Sequence, residues 1–97
     1  MKILKVIIAT DKGYIEDFET LIARLYDRKI ELFCAWGKYS RQWEDAMDFY
    51  ITDPVRMDNS HHITTMSIDD EPFEDALNMV ELWSVEYGSN DVEIIRL

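Results

Sequence analysis

The sequence predicts a single three-layer α/β/α domain in which a mostly parallel four-stranded sheet lies between helices, as in flavodoxin-like folds and in one half of a Rossmann-like fold. Apolar runs rich in Ile and Val alternate with segments whose apolar residues recur at helical spacing. Strands that alternate with helices imply right-handed crossovers and therefore parallel strands. With 97 residues, 47% of them hydrophobic, the chain is expected to form one domain over residues 1–97.

The first strand and helix follow from a change of hydrophobic period. Residues 2–9, KILKVIIA, form a nearly continuous apolar run, which is typical of a central strand covered on both faces. Residues 10–29 place apolar side chains at helical spacing, with acids early and Arg or Lys late, an order that suits the helix dipole. The sequence therefore predicts an interior strand followed by an amphipathic helix.

The second strand and helix are bounded by glycine and proline. Residues 30–37, IELFCAWG, predict a strand that stops at its glycine. Ser40 is predicted to cap the next helix, residues 41–52, and proline ends that helix. The apolar stripe of the helix includes Trp43, which is expected in the core.

The rest of the chain predicts a helix between two strands. Residues 61–68, HHITTMSI, are β-branched and follow the linker-like residues 53–60, whereas residues 71–88 have helical spacing and end in glycine. Residues 91–97, DVEIIRL, predict the fourth strand, whose direction stays open. The expected spatial order is 2-1-3-4, because the apolar first strand belongs in the interior and the alternating fourth strand suits an edge.

Acids follow the first and third predicted strands. Open sheets bind ligands beyond the carboxyl ends of the strands where the winding reverses, which the expected order places between these two strands. The acids that would meet there are Asp11, Asp69, Asp70 and Glu71. Carboxylates suit Mg²⁺, and a phosphoryl-accepting receiver domain resembles this arrangement, although this chain lacks a fifth strand with its lysine and a second acid after the first strand. Capping of the third helix by Asp70 is the simpler explanation of these acids, and it requires no cofactor. If the crevice does bind a cofactor, Mg²⁺ is the candidate.

Nucleophilic and phosphate-binding chemistry lack the residues that they need. Cys34 lies within a predicted strand, where a free thiol packs as a small hydrophobe. His61 and His62 begin the third strand, at more than about 20 Å from Asp70, and adjacent strand residues point to opposite faces. The lone glycine of TDKG makes neither a P-loop nor a dinucleotide fingerprint. No catalytic residue is predicted.

Charge differs between the two parts of the chain. Residues 1–41 carry eight Lys and Arg against six acids, whereas residues 42–97 carry two Arg against fourteen acids, within a net charge of −10. This balance argues against binding nucleic acid through its phosphates, which needs clustered cations, and it favours a basic protein partner. The candidate pocket and interaction residues are Trp36, Lys38, Tyr39, Glu44, Asp45, Asp48, Glu74 and Asp75.

Two segments, LFCAWGKYSRQWEDAMD and HHITTMSIDDEPFEDALNMVELW, resemble an uncharacterised family of small bacterial proteins over residues 32–83. The shared pattern is a Trp-Gly strand end, a helix with an early acid, a Thr-Thr strand and an acidic turn into an Asp/Glu-Ala-Leu helix. This chain has Met66-Ser67 where the family usually has Trp-His, and Ser40 where it often has cysteine. The resemblance implies no activity, substrate or cofactor. The residues of the shared pattern are Trp36, Gly37, Asp45, Thr64, Thr65, Asp70 and Glu71.

These observations favour a non-enzymatic binding or regulatory protein, of an immunity or accessory type, that presents acidic helices to a basic partner. Two alternatives stay open: a small-ligand or Mg²⁺-binding module at the crevice, and a mimic of nucleic acid. One cysteine, no signal peptide and no apolar run of about 18 residues predict a cytoplasmic protein without a membrane segment. The sequence leaves the oligomeric state open.

Overall fold

The computed structural model describes residues 3–10, 18–52, 63–83 and 89–97, which form four strands and three helices in alternation. All paired strands are parallel, which confirms the predicted α/β class and gives the last strand its direction. The elements in chain order are β1 (Ile3–Ala9), α1 (Phe18–Asp27), β2 (Leu32–Trp36), α2 (Ser40–Ile51), β3 (Thr64–Ile68), α3 (Phe73–Leu82) and β4 (Ser89–Arg96).

The strands lie in the order β3-β2-β1-β4, so the predicted order 2-1-3-4 is wrong. β1 is interior, as its apolar run indicates, and residues 4–9 are all buried. β4 takes the place beside β1 that the prediction gives to β3, while β3 extends the sheet beyond β2. An apolar run shows that a strand has two neighbours, but the identity of the second neighbour depends on how the helices pack.

This order moves the point at which the winding reverses. The chain runs from β1 to β2 to β3 with α1 and α2 on one face of the sheet, and then crosses back to β4 with α3 on the other face. The reversal therefore lies between β1 and β4, not between β1 and β3. The carboxyl ends of β1 and β3 are separated by β2, which is two strand spacings or about 10 Å.

Each face of the sheet has its own hydrophobic cluster. On the α1 and α2 face, Trp43 is fully buried, as predicted, and packs with Met47, Phe33 and Ile8. On the α3 face, Ile7, Leu32, Cys34, Ile68, Ala76 and Val80 form the second cluster. Alternate residues of the central strands therefore point into two separate cores.

Neither predicted capping residue is a cap. α2 begins at Ser40 itself, after Tyr39, and no residue in the described part of the chain bonds the buried Ser40 hydroxyl. α3 begins at Phe73, and the extended Pro72 (φ −60°, ψ 151°) occupies its capping position. Asp70 lies two residues before that position, and no described hydrogen bond joins its carboxylate to an amide of the first turn.

The later element boundaries also differ from those predicted. α3 ends at Leu82, where Trp83 turns to extended backbone (φ −70°, ψ 125°), whereas the sequence predicts a stop at the glycine of residue 88. β4 begins at residue 89 instead of residue 91. The predicted positions of His61 and His62 lie outside the described residues.

Helix length also bears on a membrane-spanning role. Among the helices of residues 3–10, 18–52, 63–83 and 89–97, none is long and apolar enough to cross a bilayer. The longest of them, α2, has 12 residues. A span through the hydrocarbon core takes about 20.

Candidate functional site

The carboxyl ends of three strands meet at Gly37. The Thr10 amide donates a hydrogen bond to the Trp36 carbonyl (3.1 Å), and the Gly37 amide donates one to the Ile68 carbonyl (3.0 Å). Gly37 has φ +125°, and a Cβ at this position would lie 1.9 Å from the Thr10 carbonyl oxygen. Only glycine allows this approach, so it ties β1, β2 and β3 together where the turns begin.

An aromatic cluster, Trp36 with Phe73, fastens the turn between β3 and α3. The Trp36 indole Nε1 donates a hydrogen bond to the Glu71 carbonyl (2.8 Å), and the two rings pack edge to face at 5.2 Å. The Arg96 guanidinium at the end of β4 lies over the Phe73 ring at 4.8 Å. Trp36 thus lies at the carboxyl end of its strand, where the sequence predicts a pocket residue. Lys38 and Tyr39 lie in the turn before α2, with the Lys38 ammonium 5.4 Å from the Tyr39 ring centroid.

Two carboxylates of α2 bind two hydroxyls of β3. Ser67 Oγ donates to Glu44 Oε1 (2.8 Å), and Thr65 Oγ1 donates to Asp48 Oδ1 (2.6 Å). The acids are four residues apart and so share one side of the helix, whereas the hydroxyls are two residues apart and share one face of the strand. In the sequence, these four residues belong to two different predicted elements, a helix and a strand. Only the packing of α2 against β3 brings them into contact.

Eight predicted site residues form what we call the acidic rim. They lie on α2 beside β3, in the turn after β3, and in the first turn of α3: Glu44, Asp45, Asp48, Asp69, Asp70, Glu71, Glu74 and Asp75. All except the half-buried Glu44 are exposed, and none forms an ion pair with another described residue. The described ion pair joins Arg28, the residue after α1, to Glu93 of β4 (2.9 Å), at the other edge of the sheet.

The structure describes three of the four predicted metal ligands. Asp69, Asp70 and Glu71 are exposed in the turn after β3, and within the described ranges no three acids, histidines or cysteines are placed to hold a metal ion. Asp11 lies outside the described residues, so the four-residue magnesium site stays a prediction. Its expected place between β1 and β3 is wrong, because β2 lies between those strands.

Cys34 is buried in the core on the α3 face. Burial, assisted by the Glu44 carboxylate, raises the pKa of its thiol to about 12. The nucleophilic form of cysteine is the thiolate, and a raised pKa keeps the thiol protonated. Cys34 is therefore chemically inert near neutral pH.

We expect Cys34 of the folded protein to resist an aromatic disulfide reagent at pH 8, because about one thiol in 10,000 would be ionised at four pH units below the pKa. The same protein in 8 M urea should react within minutes. Rapid labelling of the folded protein, at the rate of the unfolded chain, would contradict the burial of this residue.

Lys5 is an important residue that sequence reasoning missed. It is fully buried on the α3 face, and its ammonium donates hydrogen bonds to the carbonyls of Val80 (2.9 Å), Glu81 (3.0 Å) and Trp83 (2.8 Å). Burial lowers its pKa below the ordinary 10.5, against the opposing effect of the Glu81 and Asp91 carboxylates. The signal was a lysine inside an apolar run. Its role is to cap the carboxyl end of α3, where helix carbonyls lack partners.

Comparison with known proteins identifies a family and no activity. Residues 2–89 match the sequence profile of a family described as a domain of unknown function, DUF7684. Neither a curated protein nor a solved structure matches the chain. The profile extends from β1 to the first residue of β4 and includes the two segments that carry the resemblance to an uncharacterised family. Because it covers nearly the whole sequence, the chain belongs to the DUF7684 family.

Proposed function

We propose that this protein is a non-enzymatic binding protein, of an immunity or accessory type, that presents its acidic rim to a basic protein partner. One observation carries the proposal: the eight acids of the rim lie on α2, in the turn after β3 and in the first turn of α3, and no described cation pairs with them. Grouped carboxylates in water attract a cationic surface and speed its association.

The distribution of charge supports a directed surface. On the opposite edge of the sheet, Arg28 neutralises Glu93, with its two terminal guanidinium nitrogens bonded to the carboxylate. On the rim, the partners of Glu44 and Asp48 are neutral hydroxyls, which orient the carboxylates without removing their charge. The rim carboxylates therefore keep their charge, which supports an attraction to a cationic partner.

We propose the cytoplasm as the location of this interaction. The single cysteine, Cys34, is free and buried, so the fold has no disulfide to depend on. Such a thiol suits a reducing compartment.

The test is capture of proteins from the native host at two salt concentrations. Screening lengths of about 10 Å at 0.1 M and about 3 Å at 1 M salt should separate electrostatic binding from apolar binding. We expect a basic protein at the lower concentration, largely lost at the higher.

A pair of variants with equal charge change locates the surface. Asp45→Lys with Asp70→Lys changes two exposed acids of the rim, and Glu19→Lys with Asp27→Lys changes two exposed acids of α1. The rim variant should lose the basic protein and the α1 variant should retain it. Equal retention by both variants, or recovery of no basic protein, would reject the proposed function.

A further inference from the structure

The outer edge of β3 is ready to pair with another strand. The Thr64 amide bonds the Glu31 carbonyl (2.9 Å) and the Ile68 carbonyl accepts from Gly37 (3.0 Å), so the even-numbered residues of β3 turn their backbone groups toward β2. Backbone direction alternates along a strand, so Thr65 and Ser67 turn theirs outward. In the described part of the chain, no strand pairs with that edge.

The two edges of the sheet differ in their protection. Proteins guard edge strands with charged side chains, proline or irregular register. β4 carries Asp91, Glu93 and Arg96, and its pairing with β1 shifts register between Ile3 and Lys5. β3, with the sequence TTMSI, has no charged residue and no proline. Each of its five residues lies opposite a residue of β2, and the register is unbroken. β3 is therefore the edge that can accept a strand.

Charge indicates which strand would be accepted. The carboxylates of Asp48 and Glu44 lie within hydrogen-bond distance of the Thr65 and Ser67 hydroxyls, on the α2 face of the edge. Asp69 and Asp70 follow directly at its carboxyl end. A second copy of this chain would bring two acidic rims together at a net charge of −10 each, which opposes self-pairing.

We propose that an extended, basic segment of the protein partner adds to the outer edge of β3 as a fifth strand. This inference rests on the proposed function and specifies its mode of binding. The outward amides and carbonyls of Thr65 and Ser67 supply the main-chain bonds, as in other cases of strand addition. Alternate side chains of the added strand lie near Glu44 and Asp48, where Lys or Arg fits, and the others lie beside the half-buried Met66, where an apolar residue fits.

A six-residue peptide of alternating Lys and Val, with blocked ends, is the probe. Its control has the same composition in two blocks, three Lys and then three Val, so the charge is equal and the alternation is lost. Binding is measured by titration calorimetry at 0.1 M salt, and amide exchange is followed by NMR. We expect the alternating peptide to bind at least about tenfold more tightly and to protect the Thr65 and Ser67 amides.

Variants at Ser67 separate backbone pairing from charge. Ser67→Pro removes an outward amide without removing a bond to β2, and Ser67→Ala removes only the hydroxyl that binds Glu44. Ser67→Pro should weaken the alternating peptide about tenfold relative to Ser67→Ala, after urea unfolding has shown that both variants are folded.

The outcomes distinguish this inference from the proposed function. Equal binding of the two peptides, equal binding by the two Ser67 variants, or no binding at millimolar peptide would overturn strand addition and leave the basic-partner proposal standing on its own test. A wild-type dimer that Ser67→Pro converts to a monomer would show that a second copy occupies the edge, and would also overturn it. Failure of the proposed function would appear separately, as equal retention of the host protein by the rim variant, Asp45→Lys with Asp70→Lys, and by the α1 variant.

Discussion

Lys5→Met should lower the free energy of unfolding by about 2 to 4 kcal/mol, because it removes three charge-assisted hydrogen bonds to carbonyls at the end of α3. Methionine preserves most of the side-chain volume, so the loss reports the cap and not a cavity. The three acceptors are the carbonyls of Val80, Glu81 and Trp83. Urea unfolding followed by circular dichroism at pH 7 measures the change.

Lys38→Met is the matched control, because it makes the same substitution at an exposed lysine and should cost less than about 0.5 kcal/mol. A second, independent sign of the cap is faster amide exchange in the last turn of α3 in Lys5→Met alone. If the two variants unfold at the same urea concentration, Lys5 does not stabilise α3.

The stability difference between the wild type and Lys5→Met should depend on pH, and the structure gives the direction of that dependence. Burial lowers the pKa of folded Lys5 below 10.5, so between the two values the unfolded chain binds more protons. The stability of the wild type relative to Lys5→Met should therefore increase as pH rises through that window, and should be independent of pH below it. Unfolding at several values from pH 7 to 10.5 tests this. A relative stability that falls across the window would show that the folded protein raises the pKa of Lys5.

Gly37→Ala should destabilise the protein by about 3 kcal/mol or more, because alanine is strained at this conformation and its Cβ meets backbone. The φ of Gly37 is +125°, and the added carbon would lie 1.9 Å from the Thr10 carbonyl oxygen. A backbone atom cannot move aside as a flexible side chain can, so β1 and β2 must separate at their carboxyl ends. We expect a lower urea midpoint and faster exchange of the Thr10 and Gly37 amides.

Lys38→Ala is the control for this position, since it changes the adjacent exposed residue and leaves the strand ends intact. Its cost should stay within about 0.5 kcal/mol. Stability of Gly37→Ala equal to that of Lys38→Ala would mean that the strands do not meet as closely as the structure has them.

The fold class could be predicted because it depends on local patterns. The continuous apolar run of β1 correctly predicts an interior strand, and the helical stripes of α1, α2 and α3 correctly predict that Ile22, Trp43 and Val80 are buried. Strand order could not be predicted, since the sequence patterns of β3 and β4 do not show which of the two strands lies beside β1. The choice depends on whether α3 returns across the sheet or continues beside α2.

The acids of the candidate site could be named from the sequence, but their contacts with Thr65 and Ser67 could not. Acids at 44 and 48 and hydroxyls at 65 and 67 each have an ordinary local explanation, as a solvated helix face and a β-branched strand. Their hydrogen bonds arise because α2 packs over β2 and β3. Likewise, the prediction that Asp70 caps α3 is wrong, because Pro72 occupies the N-cap position of the helix.

By itself, the sequence determined the alternation of strands and helices, the interior place of β1, the burial of Cys34 and the acidity of residues 42–97, since each depends on composition or on the period of neighbouring residues. Only the tertiary structure decided that β3 and β4 form the two edges of the sheet and that Lys5 caps the carboxyl end of α3. It also decided that the acids of α2 lie beside an edge strand without charged residues. These features join residues far apart in the chain, such as Lys5 and Trp83, and depend on backbone atoms that every residue shares. The pattern of side chains along the sequence does not predict such contacts, because a carbonyl at the end of a helix accepts a hydrogen bond from any donor that packing brings close to it.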